Sequence, residues 1–186
     1  MRTLALALLS IGFCLAAESD NEIFAPPANA AFPKGPVRFV ARAVGDAKPT
    51  VDGKPVTTES PYTGVLKGEM DLPPGAHEIA LGDKKARFFV GEGAPAEFKL
   101  FREHPAMQTG CDTCHAVRND AWRFKRISLA NVCSQCHDKV TFQKKHTHEM
   151  GIIQDCQMCH APHGSTAVAS LKMTKDKACQ ICHPLK

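Results

Sequence analysis

One five-residue pattern constrains this chain more than any other feature. Cys-x-x-Cys-His occurs four times, at Cys111, Cys114 and His115, at Cys133, Cys136 and His137, at Cys156, Cys159 and His160, and at Cys179, Cys182 and His183. The leading cysteines lie 22, 23 and 23 residues apart, and so regular a period marks a repeated structural unit. Residues 18–103 contain no cysteine and residues 104–186 contain eight. The chain therefore divides near residue 103 into two parts that must fold for different reasons.

Two cysteines separated by two residues can reach the two vinyl groups along one side of a porphyrin and form thioethers. The histidine that follows then swings under the ring to bind the iron, so each pentapeptide reads as a c-type haem attachment site. Zinc ribbons also use paired Cys-x-x-Cys, and the 18 residues between Cys114 and Cys133 suit one. The histidines decide between the two. With nine His in 186 residues, chance would place one behind all four pairs less than about once in 100,000. Redox-active dithiols come singly on α/β scaffolds. The expected cofactor is four covalently bound haem c.

Composition agrees independently. Residues 104–186 carry 13 Leu, Ile, Val and Phe, about 16%, below the roughly 20% at which a chain struggles to build a core. Haem must supply the missing apolar surface, giving a haem-cored multihaem cytochrome c segment of short helices and coil. Helices are expected over 119–130 and 139–149. This segment has 11 Lys and Arg against six Asp and Glu. Eight haem propionates account for that excess, and no basic stripe interleaved with aromatics points to nucleic acid.

The first residues read differently. Met1-Arg2, an apolar run over Leu4–Leu15 and the small residues Ala16 and Ala17 form a secretory signal peptide, residues 1–17. Cys14 leaves with it, so all eight remaining cysteines fall in the motifs. The apolar run is too short to span a bilayer, which needs roughly 20 residues. Residues 18–103 alternate short β-branched and aromatic runs with turn residues: Val37–Ala41, Val51–Val56, His77–Leu81 and Ala86–Val90, with Asp52-Gly53 and Gly82-Asp83 as hairpin turns. A small antiparallel β-sandwich is expected. The stretch Leu72-Pro73-Pro74-Gly75-Ala76-His77 before a strand resembles the immunoglobulin-like or PEGA-type modules of bacterial envelope proteins.

Five histidines lie outside the motifs: His77, His104, His146, His148 and His163. Four of them fall in the haem-rich segment, one for each haem. With His148 eight residues before Cys156, and Ala161-Pro162-His163-Gly164-Ser165 directly after His160, residues 104–186 resemble the multihaem cytochromes of the doubled Cys-x-x-Cys-His type. The resemblance implies low-potential, low-spin haems with two axial histidines each, packed close together in a periplasmic or extracellular electron carrier. One position departs from the pattern, because Arg118 stands where the second pair has His163. His146 is the natural replacement, so the expected distal ligands are His104, His146, His148 and His163. His163 lies too close to His160 to reach the opposite face of the same haem and is expected to serve another. His77 begins a strand after a Pro-Pro-Gly turn and is not expected to bind iron. Met107, Met150, Met158 and Met173 read as gap fillers.

Four haems in 83 residues must lie near contact, which suits an electron carrier with a redox donor and acceptor better than an enzyme. Two other readings are a haem reductase of a small oxyanion, which needs an open iron, and a docking or assembly subunit that associates through its β-domain or, peripherally, with a membrane.

Overall fold

A computed structural model describes residues 21–119, 121–126, 128–138, 142 and 155–184. The expected signal peptide with Cys14, most of the expected helix over 139–149, and both His146 and His148 lie outside these residues.

The first part is built of strands β1 (Glu22–Ala25), β2 (Ala30–Phe32), β3 (Val37–Arg42), β4 (Pro49–Val51), β5 (Lys54–Pro55), β6 (Glu59–Tyr62), β7 (Val65–Met70), β8 (Gly75–Leu81), β9 (Lys84–Val90) and β10 (Lys99–Leu100). They form two sheets, in the orders β1-β3-β7-β6 and β10-β2-β9-β8-β4-β5. Strict alternation positions them. Val37, Phe39 and Ala41 of β3 face inward, as do His77, Ile79 and Leu81 of β8 and Ala86, Phe88 and Val90 of β9. The apolar ones, with Ala30, Val51 and Met70, make one continuous core between the sheets. Full burial of a side chain such as Phe39 or Phe88 contributes about 1.5–3 kcal/mol.

The expected hairpin turns are present. Asp52 (φ 51°) and Gly53 (φ 76°) join β4 to β5, and Gly82 (φ 60°) with Asp83 joins β8 to β9. The sheets are not wholly antiparallel, however. β2 runs parallel to both β9 and β10, because the chain passes from β1 in one sheet directly into β2 in the other instead of turning back on itself.

The second part has β11 (Arg102–Glu103), β12 (His115–Arg118), β13 (Ala121–Phe124), α1 (Leu129–Cys133), β14 (Gly164–Ser165) and α2 (Lys175–Gln180), with 3-10 turns at Pro105–Gln108, Cys111–Thr113, Cys156–Met158 and Val168–Ser170. The helix expected over 119–130 is instead mostly a hairpin: β12 and β13 pair antiparallel, with Asn119 (φ 50°) at the turn, and only α1 remains helical. Asn accepts a left-handed backbone more readily than most residues, so a tight turn forms where a helix was expected to begin. After residue 103, Ala130 and Val132 are the only buried apolar side chains among the described residues.

The two parts meet along a short seam. β11 pairs with β14, and Gly164 (φ 127°) sits so close to Phe101 and Arg102 that a Cβ there would lie 2.5 Å from Phe101 Cζ and 2.7 Å from the Arg102 carbonyl. Arg38 of β3 donates from Nη1 to both Glu103 carboxylate oxygens at 3.0 Å and from Nε to Glu69 at 3.1 Å.

Candidate haem-binding site

Each motif is wound into about one helical turn. The His137, His160 and His183 amides each donate to the carbonyl of the first cysteine in their motif at 2.9 Å, and Cys114 N donates to Cys111 O at 3.3 Å. Residues three apart share one face of such a turn, so both thiols of a motif point the same way. The four motifs alternate between two settings. The first and third form a 3-10 turn closed by a returning segment, with Lys125 N donating to Cys114 O and Lys172 N to Cys159 O, both at 2.8 Å. The second and fourth lie at the C-terminal ends of α1 and α2, whose N-caps Ser128 and Thr174 each stand five residues before the first cysteine. The segment is thus two copies of one two-motif unit.

Two of the thiols, Cys114 and Cys133, are held neutral. Burial, then neighbouring Cys156 and Cys114, push Cys133 up to about 12, and burial followed by Cys136 raises Cys114 against the opposing pull of Lys125. Zinc ligation and nucleophilic thiol chemistry need thiolate, whereas a thioether carries no ionisable proton. Among the described residues no three His, Cys, Asp or Glu side chains converge as a metal cluster.

The imidazoles are arranged differently. The His115 and His163 rings lie with centroids 6.3 Å apart and planes at 17°, and the His104 and His137 rings at 6.1 Å and 35°. A metal-bound imidazole nitrogen sits about 2 Å from the ion and about 1.1 Å from its own ring centre, so two imidazoles on opposite sides of one iron have centroids about 6.3 Å apart. Both observed separations match. His104 and His115 also bury Nδ1 with no hydrogen-bond partner of good geometry, a costly state for a packed core.

The three half-buried imidazoles His104, His115 and His163 are pushed toward the neutral form, as a ligand must be. Burial, then His115 and His104, push His163 down to about 4. Burial and then His137 lower His104, and burial lowers His115 against an opposing pull from the Arg123 main chain. His160 donates from Nδ1 to the Ala169 carbonyl at 2.9 Å. That bond fixes the tautomer with its lone pair on Nε2, the usual arrangement of a metal-binding histidine. His77 sits apart, in the core of the β-sandwich, with Nδ1 2.7 Å from Asp52 and Nε2 2.8 Å from the Pro73 carbonyl.

Sequence reasoning did not single out two further features. One is a cleft of 430 Å³ lined by His115, Arg118, Trp122, Arg123, Phe124 and Arg126. Arg118 is therefore part of the first motif's surroundings instead of the missing ligand. The other is a run of stacked rings: Tyr62 on Trp122 (6.0 Å), Trp122 on His115 (5.4 Å) and Phe124 on His115 (4.9 Å), with Phe24 against His163 (5.2 Å). Tyr62 and Trp122 are the chain's sole Tyr and Trp, which was the one hint available.

Thiols paired on one face of a turn, each pair followed by an imidazole, indicate covalently bound haem c, and imidazoles facing each other at ligation distance fit that group. The comparisons agree on the class. Residues 148–186 match the doubled CXXCH motif family, which supports a multihaem c-type cytochrome. No curated protein matches the chain. Among solved structures, one of the fibronectin(III)-like modules of Clostridium thermocellum CbhA is 22% identical over 38% of this chain and 95% of its own, at a TM-score of 0.30; the superposition is too poor to define a shared fold. Among the described residues no helix is long and apolar enough to cross a membrane.

Proposed function

We propose that the chain is a secreted tetrahaem c-type cytochrome, periplasmic or extracellular, that passes electrons between redox protein partners and is not an enzyme. The observation that carries this reading is the pair of facing imidazole sets, His115 with His163 and His104 with His137, at the separation two axial ligands require. Bound haem supplies a one-electron couple at its iron.

The chain's own residues do the rest. Cys111 and Cys114 would hold the first haem, with His115 and His163 binding its iron; Cys133 and Cys136 would hold the second, with His137 and His104. His163 comes from the second unit and His115 from the first, so that ligand pair ties the two copies together. His160 and His183 would bind the irons of the haems on Cys156, Cys159, Cys179 and Cys182, with His146 and His148 as the remaining ligands. The match of the second unit to the doubled-motif family, together with the structural copy formed by the first, supports a count of four. Arg118, Arg123 and Arg126 suit the carboxylates of a haem beside His115. Two axial histidines per iron leave no open position for an oxyanion, which favours electron transfer over reduction of a small substrate.

Intact mass of the denatured holoprotein tests the proposal. Four haem increments on the mature chain, with no thiol left to alkylate, are expected. Fewer than four on fully matured protein would overturn it.

A further inference from the structure

Resting on the reading that His115 and His163 bind one iron, we infer that the β-sandwich forms one wall of the first haem's site. Phe24 and Tyr62 are then positioning residues that fix the orientation of those two ligands and the potential of that haem alone.

The geometry is specific. Phe24, on β1, packs its ring 5.2 Å from His163. Tyr62, at the end of β6, stacks on Trp122 at 6.0 Å and 19°, and Trp122 stacks on His115 at 5.4 Å and 15°. His115 is therefore backed by a stacked aromatic column that ends on the β-sandwich and His163 by the tilted ring of Phe24, and the two imidazole planes lie only 17° apart. The His104–His137 pair, at 35°, has no such backing among the ring contacts of the described residues. β1 and β6 are the two edge strands of the same sheet, so this sheet grips the site from both sides.

Two consequences follow. Parallel imidazole planes split the iron d orbitals that lie along them and give a rhombic low-spin signal, whereas planes turned toward perpendicular give a strongly anisotropic one. Packing that excludes water disfavours the ferric state, whose haem core carries a net positive charge that the ferrous state lacks, and so raises the potential.

The test is electron paramagnetic resonance with potentiometric titration of the full-length holoprotein, comparing Phe24→Ala and Tyr62→Ala with the unmodified chain. Each variant should move one low-spin signal toward greater anisotropy and lower the potential of one haem, while three haems stay unchanged. Tyr62→Phe should retain the native signal, because the stacking ring remains, and Lys85→Ala on the opposite sheet should do nothing. If Phe24→Ala does not accumulate, Phe24→Leu keeps the bulk, loses the ring and should show the same signal change. Signals and potentials unchanged in folded Phe24→Ala, or Phe24→Leu, and in Tyr62→Ala would overturn the inference. His163→Met separates this from the ligand assignment. If that change leaves every haem spectrum intact, the assignment itself fails; if it alters one haem while the aromatic variants alter none, only the positioning role fails.

Discussion

His77 is a buried imidazole and His163 a half-buried one, and their surroundings give them opposite roles. His163 faces a second imidazole and is pushed down to about 4 by burial and its histidine neighbours. Both ring nitrogens of His77 are engaged, by Asp52 and by the Pro73 carbonyl, so it serves the β-sandwich. Asp52 has a pH signature of its own. Partial burial pushes its carboxyl up, but the hydrogen bonds from His77 and the Glu78 amide outweigh this and hold it below the usual carboxylate range. A depressed folded value means that the carboxylate stabilises the fold above its unfolded pKa of about 3.9, and that this contribution is lost as pH falls through the folded value. Asp52→Asn, which still tolerates the positive φ of the turn, should therefore melt lower than the unmodified chain at neutral pH. The gap should close in acid, and thermal melts across pH check this. A gap that widens in acid would contradict it.

At the scale of elements, the seam between β11 and β14 decides how the two parts are held. Gly164 has both a positive φ and no room for a Cβ beside Phe101, Arg102 and Glu103. Gly164→Ala should cost about 1–3 kcal/mol by overpacking, seen as a lower melting temperature of the holoprotein; an unchanged melt would mean the seam yields easily. Elements were legible in the sequence where local chemistry dictates them. Asp52-Gly53 and Gly82-Asp83 mark turns because the backbone there needs φ > 0, and β3, β8 and β9 show in their two-residue alternation. β7 has a glycine at its fourth residue and buries only Met70 completely, so it gave no clear alternation to read. The β12–β13 hairpin was hidden because its strands carry a haem-motif histidine and basic residues in place of an apolar period. The motif cysteines and histidines were plain because attachment chemistry fixes their spacing. Phe24 and Tyr62 were not, because their contacts, with His163 and Trp122, run between distant segments of the chain.

Among the described residues nearly all buried apolar side chains belong to the β-sandwich, and Ala130 and Val132 are the only ones after residue 103. A chain expressed without haem maturation should keep the β-rich circular dichroism of residues 21–103 and lose protease resistance from residue 104 onward. Equal protection of both parts without haem would mean that the second part folds unaided. The proposed division of labour follows: one part brings its own core, and the other folds around cofactors that it holds with eight thiols and paired imidazoles. The most direct measurement of that account is quantified electron paramagnetic resonance of the oxidised, purified holoprotein. Four low-spin ferric haems per chain, with no high-spin component and no change on adding a small haem ligand, are predicted. A high-spin, ligand-accessible haem in the unmodified protein would contradict full bis-histidine ligation and turn the reading toward a reductase.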